Sequence, residues 1–94
     1  MTIGILNFHI SVTYCKSLKE KRAKVKPLLN HLHKEFNFSV AEMAYQDSLR
    51  ECVISCAAIS QDKIFLEKLF SNAMEYFENH FPELVILEHT TEYF

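Results

Sequence analysis

A length of 94 residues makes one folding unit the default, and 49% hydrophobic with 23% charged residues excludes a disordered chain. A net charge of −2 excludes a protein basic throughout. Three cysteines, with Asn7 and His9 arriving too early for a secretory leader, point to reduced thiols in a soluble, cytoplasmic protein. No apolar run approaches the roughly 18 residues of a membrane helix, so no membrane partner is expected. One glycine and two prolines leave room only for long elements and short loops.

Charge is unevenly spread. Residues 16–34 carry Lys16, Lys19, Lys21, Arg22, Lys24, Lys26 and Lys34 against Glu20 alone, whereas residues 67–94 carry six glutamates against Lys68. A basic working surface is therefore expected, away from an acidic end.

Residues 3–13 alternate, with Leu6, Phe8, Ile10 and Val12 on one face and Asn7, His9, Ser11 and Thr13 on the other, as in a half-buried strand. Ser17-Leu18-Lys19-Glu20 reads as a capping box, with Glu20 reaching back to the Ser17 amide. Leu18, Arg22, Val25, Leu28, Leu29, Leu32 and Phe36 then follow helical spacing. Pro27 falls inside it and predicts either a kink or break, or a short turn over 17–24 before a helix starting at the proline.

A second strand is expected over 37–46, with Phe38 and Val40 opposite Ala41, Met43 and Tyr45. Gln46-Asp47-Ser48 has hairpin size, with Asp47 bonding its own backbone. Residues 50–60 are apolar on both faces, with Cys52, Ile54, Cys56 and Ala58 on one side and Val53, Ala57 and Ile59 on the other, as in a covered central strand. Ser60 or Asp62 caps a second helix bearing Phe65, Leu66, Leu69, Phe70, Ala73, Met74, Phe77 and Phe81 and stopped by Pro82. The last strand, over 84–94, places Leu84 and Ile86 opposite Val85, Leu87 and Tyr93.

The order β-α-β-β-α-β predicts an α+β, ferredoxin-like split fold: a four-stranded antiparallel sheet, order 4-1-3-2, with both helices on one face. Met43, Tyr45, Val53, Ala57 and Ile59 then make the other face apolar enough to seek a partner, most simply a second copy of the chain.

Lys16, Lys19, Lys21, Arg22, Lys24 and Lys26 are candidate phosphate contacts at a helix N-terminus, although a solvated lysine face is the plainer alternative. Cys52 and Cys56, four apart on a strand, stand about 13 Å apart and share no zinc or disulfide. Cys15 lies near lysines and a helix start, which lower a thiol pKa. His31 and His33 point apart on their helix, while His9 and His89 meet if the first and last strands are neighbours. Glu42, Asp47 and His9 form the one conceivable catalytic group, with no nucleophile–base pair in view. No phosphate-loop, dinucleotide-binding or metalloprotease motif occurs, so no enzyme, cofactor or metal is expected.

At Ser17-Leu-Lys-Glu-Lys-Arg22, Val25-Lys-Pro-Leu-Leu29, Phe36-Asn-Phe-Ser-Val-Ala-Glu42 and Gln46-Asp47 the chain resembles the YlxP-like family of small bacterial domains of unknown function. The likeness covers essentially the whole chain. It implies a ferredoxin-like fold and association through the sheets. Family genes often stand beside those of a ribosome-binding factor and a translation initiation factor, which implies a role near RNA, ribosome assembly or translation. Leu49 stands where the family often has an aromatic, and Ser55 where it often has glycine. The expectation is thus a non-enzymatic binder of RNA or a ribosomal component; the alternative is a homo-oligomeric module for protein or small ligand.

Overall fold

The alternation of the first strand is what splits the molecule into a covered and an open side. In the computed structural model, which describes residues 1–94, strand β1 (Thr2–Val12) buries Leu6, Phe8, Ile10 and Val12 and leaves Ile5, Asn7, His9 and Ser11 half-exposed. It is followed by α1 (Leu18–Phe36), β2 (Ser39–Ala44), β3 (Glu51–Ser60), α2 (Lys63–His80) and β4 (Leu84–Tyr93). The strands form one antiparallel sheet in the order β2-β3-β1-β4, the ferredoxin-like order expected. Phe8, Ile10, Cys52, Ile54 and Cys56 meet Val25, Leu28 and Leu32 of α1 and Phe70, Ala73 and Phe77 of α2 in a single core. Both helices therefore cover the same sheet face, α1 over β2 and α2 over β1, β3 and β4. No helix is long and apolar enough to cross a membrane.

Several local expectations change. α1 runs unbroken through Pro27, because Val25, Leu28 and Leu32 on either side of the ring are anchored in the core. The tertiary burial outweighs the one backbone bond that proline removes. Arg22 is exposed, and Lys21 takes the buried position in its place. The Ser17 hydroxyl does accept from the Glu20 amide, at 3.1 Å, but the Glu20 carboxylate reaches the Lys16 amide rather than that of Ser17. Asp62 is the cap of α2, accepting from the Ile64 amide, while Ser60 accepts from the Asp62 amide. Phe65 lies off the buried stripe of α2 and is exposed.

Two bulges reassign faces. Between His9 and Ile10 the pairing of β1 with β4 slips, so Tyr93 joins Leu84 and Ile86 on the helix side, near Phe70, rather than facing with Val85. The same slip pairs His89 with Phe8, on the face opposite His9, so the two histidines do not meet. Between Glu42 and Ala44 the pairing of β2 with β3 slips, leaving Met43 in the bulge. The single glycine, Gly4, sits where a Cβ would stand 2.8 Å from the Phe70 ring, so close packing explains its presence.

A cleft between the basic helix and the β2–β3 turn

Lys21 organises this end of the molecule. It is only 2% exposed, and its ammonium donates to the Tyr45 carbonyl at 2.8 Å and lies 3.6 Å from the Glu42 carboxylate. A buried cation is tolerated because both partners are present. Tyr45 needs that restraint: its φ of 64° lies in the left-handed region, unusual for a bulky residue. The Tyr45 carbonyl also accepts from the Ser48 amide, and the Ser48 hydroxyl accepts from the amides of Arg50 and Glu51. Ser48, not Asp47, thus supplies the side-chain bonds of the turn, and Asp47 is left exposed.

Between α1 and this turn lies a cleft of about 470 Å³. Leu18, Val25 and Leu29 form its apolar wall, Arg22, Lys26 and Asn30 its helix side, and Gln46 and Asp47 its opposite rim. The Lys21–Glu42 pair closes the floor. The ion pairs of the chain are His9–Glu51, Lys21–Glu42 and Lys24–Glu83; Arg22, Lys26 and Asp47 are in none of them. All four segments that carry the family resemblance contribute to this one cavity, although they are spread from residue 17 to 47.

The candidate phosphate contacts divide into two groups. Lys16, Lys19, Arg22 and Lys26 are exposed, and the last three follow one another along one face of α1. Lys21 is unavailable in the core. Lys24 is held by the Tyr14 carbonyl at 2.8 Å, the Thr13 hydroxyl at 3.3 Å and Glu83 at 3.2 Å. Burial works against its charge, but the Glu83 hydrogen bond and the nearby Cys15, Glu83 and Glu20 hold its pKa above the usual value. That pair also brings one glutamate of the acidic C-terminal section against α1, so the charge separation in the sequence is not a full separation in space. At the start of α1, Ser17 and Glu20 already satisfy part of the helix terminus.

The open sheet face carries the second group of candidates. Ile59 is 64% exposed, opposite Ile3, and Met43 is 59% and Tyr45 45% exposed, whereas Ala57, opposite Ile5, and Val53, opposite His9, are half-buried. The centre of this face is polar. The Ser55 hydroxyl donates to Asn7 Oδ1 at 2.6 Å, and Asn7 Nδ2 donates to Thr90 Oγ1 at 3.2 Å. The His9 ring stacks on Tyr45 at 5.3 Å and its Nε2 lies 2.8 Å from Glu51. Glu42 and Asp47 line the cleft, and His9 belongs to the other side of the sheet, so the structure does not assemble these three.

The three thiols are buried, whereas of the remaining histidines His31 is half-buried and His33, His80 and His89 are exposed. Burial pushes the Cys52 thiol up to about 11, helped by Glu42, and the Cys56 thiol to about 12. Cys15 is buried and its thiol donates to the Thr13 carbonyl. His31 stacks on Tyr76, while His33 donates to the Phe38 carbonyl. No group of three His, Cys, Asp or Glu side chains is placed to hold a metal.

Residues 3–91 match the profile of a family described as "Protein of unknown function (DUF503)". The chain is 35% identical over 92 residues to the uncharacterized protein YlxP of Bacillus subtilis (strain 168), covering 98% of this chain and 99% of that one. Among solved structures it resembles the de novo designed protein Foldit4, with a TM-score of 0.55 and 15% identity over 98% of this chain and 96% of that one. It also resembles SnoaB, a cofactor-independent oxygenase from Streptomyces nogalater, with a TM-score of 0.55 and 8% identity over 99% and 90%. Rv0793 from Mycobacterium tuberculosis gives a TM-score of 0.55 and 12% identity over 100% and 93%. At such identities these structures speak for the fold alone.

Proposed function

The chain belongs to the DUF503 family of proteins of unknown function, and we propose that it is a non-enzymatic binding protein that holds RNA, alone or within a ribosomal particle, against α1. The observation that carries this reading is the row Lys19, Arg22 and Lys26, extended by Lys16, exposed and outside every ion pair of the chain. Four such cations meet phosphates without first breaking an internal contact. Lys21 is buried, and Lys24, though partly exposed, would have to surrender its partners to meet a phosphate.

Binding then follows counterion release. Four phosphate contacts to a single strand give a slope of about −3 in log K against log salt. The double substitution Lys16→Glu, Lys19→Glu should weaken binding to single-stranded RNA and to ribosomal subunits and flatten that slope, measured by fluorescence anisotropy and co-sedimentation. Unchanged affinity would remove the RNA reading.

Self-association through the open sheet face is a second reading, favoured by exposed Ile59 with Ile3 opposite it and Ala57 and Ile5 as the next pair. A single copy leaves these side chains in water, and a twin sheet covers them. Light scattering during size-exclusion chromatography tests it, and a monomer at high micromolar concentration would defeat it.

A further inference from the structure

We infer that the cleft between α1 and the β2–β3 turn receives one base of the bound RNA, turned out of its stack, and that Asp47 selects guanine there. The inference rests on the RNA reading and adds the part of the ligand that α1 alone does not address. The occupant of this cleft must satisfy three separate demands. Leu18, Val25 and Leu29 offer an apolar wall suited to a flat, weakly polar body. Arg22 and Lys26 stand on the helix side with their charges uncommitted within the chain, and call for an anion. Asp47 stands across from them with an acceptor-only carboxylate that the turn does not use, and calls for N–H donors. Lys21 and Glu42 neutralise each other and act as floor.

A nucleotide carries all three features: a planar base, a phosphate at one end and a hydrogen-bonding edge at the other. About 470 Å³ lies within the range of small-molecule sites. Splayed-out bases are the usual means by which RNA is read in sequence. Among the four bases, guanine presents two adjacent N–H donors on one edge, matching the two oxygens of a carboxylate. Adenine and cytosine offer one amino group and uracil one imide N–H. Glutamine at 46 keeps its amide nitrogen on the Glu42 carbonyl, 3.3 Å away, which directs its oxygen elsewhere as a further acceptor.

The test uses the full chain, a short single-stranded RNA containing guanine, and oligouridine of the same length. Wild type should prefer the guanine oligomer by roughly tenfold, the size of one good two-point base contact. Asp47→Asn should bring the two oligomers within about twofold of each other. Leu29→Trp, which fills the cleft, should likewise remove the preference for the guanine oligomer. Equal affinities in wild type, or a preference that survives Asp47→Asn, would overturn the inference while leaving phosphate binding by α1 intact. If neither oligomer binds, the RNA reading falls, and guanosine monophosphate decides the cleft by itself. Amide shifts at Arg22, Gln46 and Asp47 with the nucleotide, and none with inorganic phosphate, would support a guanine site. No shifts would reject it.

Discussion

The α1 cleft and the open sheet face both leave side chains without a protein partner, but for opposite reasons. At the cleft the uncommitted groups are charged and surround a concavity whose floor is already neutral. On the sheet His9 is paired with Glu51 and Asn7 with Ser55 and Thr90, the unpaired Glu88 and Glu92 stand on the edge strand β4, and the remaining uncommitted surface is apolar. Free charge around a cavity suits a small polar ligand that is exchanged with water. Apolar side chains beside paired polar groups suit a protein surface of matching shape that leaves the β4 edge, with Glu88 and Glu92, in water. The contrast is the basis for proposing ligand binding on the helix side and association on the bare side.

Removing Lys21 breaks the comparison hardest. Lys21→Ala leaves the Glu42 carboxylate and the Tyr45 carbonyl without their cation and should cost about 2–3 kcal/mol in urea unfolding, somewhat below a fully buried pair because Glu42 is partly exposed. Arg22→Ala, one position along, should change stability by less than about 0.5 kcal/mol. Equal effects would mean that the buried lysine is not what holds the turn. Gly4→Ala comes next: it pushes a methyl into Phe70 and should destabilise by about 1–3 kcal/mol unless the ring swings aside.

Alkali sharpens the account of the covered face. Cys52 and Cys56 have thiol pKa values raised from 9.0 to about 11 and about 12. Below pH 9 both states hold the protons and the thiols are neutral to stability. Above it the unfolded chain loses protons that the native one keeps, so stability should fall by about 1.4 kcal/mol per pH unit for each thiol. Cys56→Ala should remove roughly half of that slope, measured as urea midpoints between pH 8 and pH 10.5. The smallest effect on folding belongs to the open face: Ile59→Asp should shift monomer stability by less than about 0.5 kcal/mol yet abolish any self-association in light scattering. A variant that associates like wild type would place the contact elsewhere.

The cleft was only partly legible in the sequence. Its apolar members could be read from the helical spacing of Leu18, Val25 and Leu29, and its cations from the lysine-rich run. What spacing could not reveal was the exchange of roles between Lys21 and Arg22. Adjacent helix positions differ by about 100°, and a stripe drawn through the apolar residues passes close to both. Lys21 wins because Glu42 and the Tyr45 carbonyl are there to receive it, and both come from a strand and turn some twenty residues further on. A signal did exist: Glu42 is a carboxylate inside an apolar strand, and such a group calls for a buried cation.

Local periodicity and capping chemistry were enough for the element order and the cap at Ser17, and the right-handed crossover rule added the strand order. Tertiary structure alone decided the continuity of α1 through Pro27, the faces of Tyr93 and His89, and which lysines of the basic helix are free. Each depends on a bulge or a partner from another element, and a one-residue slip in pairing turns every later side chain to the other face.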